Sequence, residues 1–252
     1  LYSIELLINF NSFGFIRAGC RAMKTNKFKH DETLRTDDEE FVDSIETNVD
    51  NSSRSIERLN AIAGGDYWIP IIEEYKKGKT TGRDTERRFS EAYRAKLGET
   101  YRFVLSMPIR LANRQQPKYR MIHVTNHAEG CNLMAENMMK RTENLFIHLK
   151  GHQQPTLLDE DIEGEATDPI QVKNQMETVI KQYHNWTKAQ EIMAQFYASE
   201  GVICKTRIIH AVWKQMEEAN TIQVDRGNTK NSHSTSFTTK GGKRVSIRYL
   251  KS

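Results

Sequence analysis

The sequence predicts a chain in two parts, α/β over residues 1–154 and α+β over residues 169–252, and three observations carry the division. Short apolar runs alternate with stretches of helical periodicity up to residue 154. Residues 155–168 hold six acids (Asp159, Glu160, Asp161, Glu163, Glu165 and Asp168), no base, a Pro and a Gly, the composition of a solvated linker. Beyond it, three amphipathic stretches precede two short alternating runs, the pattern of three helices and a hairpin.

A chain of 252 residues makes one large domain or two ordinary ones. With 37% hydrophobic and 28% charged residues it has the apolar matter for a core and a strongly charged surface. Collagen-like and low-complexity chains are excluded. No apolar stretch approaches the roughly 18 residues of a membrane span, so no membrane partner is expected. The three cysteines, Cys20, Cys131 and Cys204, are scattered and form no CxxC, which points to a reducing, cytoplasmic setting. The chain starts at Leu1, with no basic leader or cleavage site, and opens straight into Ile4, Leu6, Leu7, Ile8 and Phe10. A strand with no turn before it predicts a fragment that lacks an N-terminal part.

Residues 4–10 read as a buried strand bounded by Asn11, Ser12 and Gly14. Ile45, Val49, Ile56, Leu59 and Ile62 recur at helical intervals until Gly64-Gly65 stops them. A basic loop, Lys76 to Arg83, leads into a helix from Glu86 to Leu97. Tyr101 to Met107 and Met121 to Thr125 alternate as paired strands, joined by a hairpin loop from Pro108 to Lys118. A Met-rich helix, Leu133 to Met139, follows, with Met134, Met138 and Met139 read as core.

In the second part, Asp168-Pro169 gives an N-cap and a Pro at the first helical position. Val172, Met176, Val179, Ile180 and Tyr183 mark the first helix. Thr187 and Gln190 fit a capping box for the second, with its stripe of Ala189, Ile192, Met193, Phe196 and Tyr197. The third, Thr206 to Asn220, has Ile208, Ile209, Val212, Trp213 and Met216 on its apolar side. Arg207, His210, Lys214 and Glu217 lie opposite, on one exposed face. Strands at Thr221–Asp225 and Arg244–Leu250 complete the layout of a winged helix-turn-helix.

Charge agrees with that layout. Residues 205–252 hold ten basic side chains against three acidic, a surplus of seven in a chain whose whole formal charge is +4. Lys205, Arg207, His210 and Lys214 on the third helix, with Lys240, Lys243, Arg244 and Arg248 on the wing, are the candidate nucleic-acid contacts. A solvated basic surface, or a wing that contacts protein, fits the same charges. Asn9, Asn11 and Arg17, at the carboxyl end of the first strand, could line a cofactor pocket, or the asparagines could satisfy turn backbone groups. His123, His127 and Cys131 have zinc-like spacing only if one helix carries all three. The alternation of Met121 to Thr125 puts a strand there instead, so no metal site is assigned. There is no G-x-G-x-x-G, Walker or G-x-S-x-G motif, and Gly64-Gly65 and Gly241-Gly242 read as turns.

Several blocks together resemble one family. They are Ile4 to Phe10 with Gly14, Ile16 and Arg17, then Gly65 to Trp68, then Arg88-Phe89 through Tyr93 to Leu97. The most specific is Tyr119-Arg120-Met121-Ile122-His123-Val124-Thr125-Asn126-His127 with Gly130 and Met134. In order and spacing they resemble the three-Cys-motif partner protein (TcmP) family, whose strand-to-helix segment ends in T-x-H and a Gly. The resemblance covers most of the chain and implies part of a class I methyltransferase-like Rossmann sheet with a helical insertion at about 21–98, then a winged helix. It would make residues 4–10 the fifth strand of that sheet and the strands near 101–107 and 121–125 its antiparallel sixth and seventh. It implies S-adenosylmethionine for the full-length protein. The family's Gly-rich cofactor loop and D-P-[FY]-G motif precede this point and neither occurs here, so no catalytic residue carries over. It also implies a partner, a three-Cys-motif protein resembling radical S-adenosylmethionine enzymes. Three functions stay open: a methyltransferase lacking its upstream half, a DNA-binding module without chemistry, and an adaptor for that partner.

Overall fold

The computed structural model describes residues 4–31, 52–109, 119–151, 169–200, 204–227, 237 and 245–250. Among them the protein is a mixed α/β structure with eight α-helices and two small antiparallel sheets. The chain divides into two compact units, one formed by Leu1–Leu6, Arg102–Met107 and His123–Ser252, the other by Leu7–Tyr101 and Pro108–Ile122.

Strands β1 (Leu6–Phe10), β2 (Phe103–Ile109) and β3 (Tyr119–Thr125) form the first sheet in the order β1–β3–β2. The expectation of a buried first strand fails in part. Phe10 is buried, but Ile4, Leu6 and Leu7 are 53%, 41% and 56% exposed. A run apolar on both faces needs cover on both faces, and the exposure of the successive Leu6 and Leu7 shows neither face fully covered at this end of β1. The strand expected to end at Met107 continues through Pro108 and Ile109; residues 110–118 of the connection lie outside the described residues.

Helix α1 (Ser12–Ala22) starts because the Asn11 side chain accepts a hydrogen bond from the Gly14 N–H at 2.7 Å. Helices α2 (Ser52–Ala63), α3 (Trp68–Lys76) and α4 (Gly82–Gly98) occupy the stretch read as a helical insertion. Gly64, at φ +73°, ends α2 in a conformation that glycine adopts without strain. Ile45 and Val49, assigned to the same helix from the sequence, lie outside the described residues. Helix α4 begins four residues earlier than its periodicity suggested, since Thr81 Oγ1 accepts from the Asp84 N–H at 3.1 Å and caps it. Aromatic packing joins these elements. Phe15 stacks on Phe89 at 4.4 Å, Phe10 on Tyr93 at 4.7 Å, and Phe15 meets the edge of Trp68 at 5.6 Å.

Helix α5 (Ala128–Gly151) is far longer than the Met-rich segment that announced it. It packs against α7 (Ala189–Glu200), burying Cys131, Ala135 and Met138, spaced four and three apart. Asn132 donates to the Gln190 carbonyl at 2.9 Å across that contact. Helix α6 (Pro169–Ile180) opens on its proline, and α8 (Thr206–Glu218) buries Ile209, Val212, Trp213 and Met216. The acidic stretch 155–168 lies outside the described residues.

Strands β4 (Thr187–Lys188), β5 (Ile222–Asp225) and β6 (Ser246–Tyr249) form the second sheet, ordered β4–β6–β5. Thr187 pairs with Ile247, and Val224 pairs with Ile247 from the other side. The capping box read at Thr187 is replaced by this strand. The Thr187 hydroxyl donates to the Asn185 carbonyl, and the Ala189 N–H donates to Val245 O at 2.9 Å, so pairing with another strand supplies what a cap would have supplied.

Gly19 tests the packing of α1. A Cβ there would meet the buried Trp68 ring at 3.0 Å, so Gly19→Ala should cost about 1–3 kcal/mol in urea unfolding. Gly98, at the end of α4 with open space around it, should tolerate Ala with no loss or a gain of about 0.4–1 kcal/mol. Equal effects at the two sites would contradict the packing described.

Candidate functional site

The exposed side of α8 is a single stripe. Arg207, Ala211, Lys214, Gln215 and Glu218 are exposed and fall on one face, opposite the buried Ile209, Val212, Trp213 and Met216. Ala211 keeps the middle of the stripe low. Lys205 occupies the N-cap position and its ammonium pairs with Glu143. Lys214 lies 3.9 Å from Glu218, with both side chains more than half exposed, an ion pair of little energetic weight.

His210 departs from the face assigned to it. It is half-buried, with its ring 5.7 Å from those of both Trp213 and Phe237, and burial pushes its pKa below the ordinary value. Glu217, also assigned to that face, receives two hydrogen bonds from Arg226, at 2.7 and 2.5 Å. Lys240, Lys243 and Arg244 lie outside the described residues. Arg248, on β6, donates through Nε and Nη2 to Gln223 Oε1 at 2.9 and 2.6 Å and sits 4.7 Å above the Trp186 ring. Spacing brought Arg207 and Lys214 together correctly. It gave no sign of Trp186, which lies 62 positions from Arg248 and meets it only through strand pairing.

The three cofactor candidates have separate environments. Asn9 is exposed on β1, Asn11 caps α1, and Arg17 is buried within α1. His123, His127 and Cys131 do not share a helix. His123 is buried on β3, His127 is exposed ahead of α5, and Cys131 is buried in α5, where its thiol meets the Ala194 carbonyl. Among the described residues no group of three His, Cys, Asp or Glu side chains could hold a metal ion.

Two polar clusters escaped the sequence, the first of them buried. In the first, the Glu86 carboxylate accepts from Ser12 Oγ at 2.6 Å, Ser90 Oγ at 2.8 Å, and Arg120 Nε and Nη2 at 2.5 and 2.8 Å. Burial alone would raise its pKa; Arg120 and the two hydroxyls outweigh burial and hold the carboxyl below its usual range. Three donors converge on Oε1 and one on Oε2, and the cluster ties α1, α4 and β3 together. Ser90 is one helical turn away, but Ser12 and Arg120 are 74 and 34 residues away, beyond any periodicity.

In the second, Glu5 Oε1 accepts from Thr125 Oγ1 at 3.0 Å, and Thr125 Oγ1 accepts from the His127 N–H at 3.1 Å. Gly130, in the first turn of α5, leaves room for the Glu5 carboxylate, placing an anion where a helix N-terminus favours one. His123 Nε2 is 3.8 Å from Glu5 Oε2; burial lowers the pKa of this His and Glu5 offsets part of the effect.

Both depressed histidines make stability depend on pH with one sign. The unfolded chain takes up protons first, near pH 6.5, so the unfolding free energy falls as pH drops below that value towards the folded pKa. Urea midpoints should fall between pH 7 and 5, and His123→Gln and His210→Gln should each flatten that fall. A parent profile flat over this range would refute the assignment.

No family model, curated protein or solved structure matches this chain.

Proposed function

We propose that the C-terminal part is a winged helix-turn-helix that binds duplex DNA with α8 in the major groove. The observation that carries this reading is the element order helix, strand, helix, helix, strand, strand, with the strands arranged β4–β6–β5 and a basic stripe exposed on the third helix. Arg207 and Lys214 are the phosphate contacts and the small Ala211 lets the helix approach closely. Lys205 and Arg248 add to the basic charge, and Lys240, Lys243 and Arg244 are the wing contacts expected from the sequence; His210 supports Trp213 from within. Fluorescence anisotropy with a duplex should show affinity that falls steeply with salt. Arg207→Ala and Lys214→Ala should each reduce the slope of log K against log salt by about 0.9, uniformly across sequences. Affinity independent of salt, or unchanged in the double variant, would end this reading.

A second reading rests on the first sheet. In a class I methyltransferase-like sheet the last strand lies antiparallel between the two before it, and the order β1–β3–β2 is compatible with strands five, seven and six. In such a sheet a fourth strand would flank the fifth, where β1 leaves Leu6 and Leu7 uncovered. On this reading the chain is part of a TcmP-like, S-adenosylmethionine-dependent methyltransferase-like protein that works beside a three-Cys-motif, radical S-adenosylmethionine-type partner. The strands that would cradle the cofactor are not in this sequence, so calorimetry should detect no micromolar binding of S-adenosylmethionine to the 252-residue chain. Binding at that level would assign the cofactor to Asn9, Asn11, Arg17 or other groups present here.

A further inference from the structure

We propose that the outer face of the β4–β6–β5 sheet binds single-stranded nucleic acid, with a base stacked on Trp186 and the adjoining phosphate held by Arg248 and Lys188. The register builds this face. Gln223 pairs with Arg248 and Thr187 with Ile247, so Trp186, just before β4, falls in line with Arg248 and Gln223. Lys188, Ser246 and Asp225 form the next row. The opposite face carries the buried Ile222 and Ile247.

Three properties of the row point to a ligand. Trp186 is 45% exposed, although burying an indole is strongly favourable. Trp68 and Trp213, the other two tryptophans of the chain, are fully buried. The Arg248 guanidinium is already held, with Nε and one Nη2 proton on Gln223 and its central carbon 4.7 Å from the Trp186 ring centroid. Among the described residues, three of its five N–H donors are left for an acceptor outside the protein.

The chemistry of the rim selects the partner. In these two rows the described side chains beside Trp186 are Arg248, Gln223, Lys188, Ser246 and Asp225, all polar. A nucleotide supplies what the row can use, a flat π-face for the indole and an anion for the guanidinium. Lys188 lies about 7 Å along the strand direction from Trp186, within reach of the phosphate that flanks a stacked base. A base inside a duplex has its faces covered by its neighbours, so the occupant is an unpaired strand. The inference rests on the nucleic-acid reading of the C-terminal part and assigns it a second surface.

The test uses the whole chain and an oligothymidylate of about ten nucleotides. With Trp68 and Trp213 buried, Trp186 is the emitter that a stacked base reaches, so saturable quenching of tryptophan fluorescence is expected. Trp186→Ala should abolish the quenching and weaken binding about 5- to 150-fold, while Trp186→Phe should lose the quenching and keep part of the affinity. Arg248→Ala and Lys188→Ala should each reduce the salt slope by about 0.7. Melting curves matching the parent's establish that the variants fold. Binding without quenching, Trp186→Ala binding as tightly as the parent, or stronger quenching by a phosphopeptide of equal charge would overturn the inference. In Arg207→Ala/Lys214→Ala, loss of duplex binding with oligothymidylate quenching retained would support the sheet surface as a separate site. Duplex binding in the parent with no response to oligothymidylate would overturn this inference and leave the α8 reading in place.

Discussion

The C-terminal part depends on the pairing of β6 with strands on both sides. Residues 246–249 lie between a two-residue strand and a four-residue strand, neither of which could form a sheet alone. Ile247 is fully buried and pairs with Thr187 on one side and Val224 on the other. The strand's C-terminal end is tied as well, since the Tyr249 N–H donates to Tyr183 O and the Leu250 N–H to Thr221 O, both at 2.9 Å. These bonds gather the start of β4, the end of α8 and the last strand into one place. Without them the apolar side of α8 would have no sheet to close over it, and Trp186 and Arg248 would not meet.

Charge is distributed so that the surface keeps only part of its nominal excess. Glu217 holds Arg226, Glu143 holds Lys205, and Glu218 lies near Lys214. Arg207 makes no ion pair among the described residues, which leaves it free to meet a phosphate. A count of ten bases against three acids therefore overstates the field that a ligand would feel. Glu143 lies on α5, well outside the window in which that count was made. The Glu86 cluster shows the opposite arrangement. There a buried carboxylate draws one guanidinium and two hydroxyls, because an unpaired charge at that depth would cost several kcal/mol.

Periodicity made the regular elements legible and left their partners hidden. The stripe of α8 and the stop at Gly64 each follow from neighbours within one or two turns, whereas β3 forms where expected but is buried on both faces from Ile122 to Thr125 instead of alternating. Strand β4 was hidden because two residues have no period, and Thr187 carries a capping signal that tertiary pairing overrides. His210 was placed by helical geometry on the solvent side, yet Phe237, from a distant loop, covers it. The candidate surface was half legible for the same reason. Arg207 and Lys214 are seven residues apart, whereas Trp186, Gln223 and Arg248 share a row only after three strands have paired.

The two sheets leave different kinds of surface open, and the difference bears on what each can bind. At and just before β1 the large exposed apolar groups are Ile4, Leu6 and Leu7, aliphatic side chains whose burial is worth about 1.5–3 kcal/mol each, beside the polar Asn9. Such a surface gains from being covered, and the gain does not depend on recognising a particular chemical group. On β4–β6–β5 the exposed groups are one indole and fixed polar side chains, where apolar cover would strand the Arg248 guanidinium away from water. That surface gains only from a partner that brings its own acceptors. The first sheet is therefore suited to being completed by more protein, and the second to meeting a charged, planar ligand that can come and go.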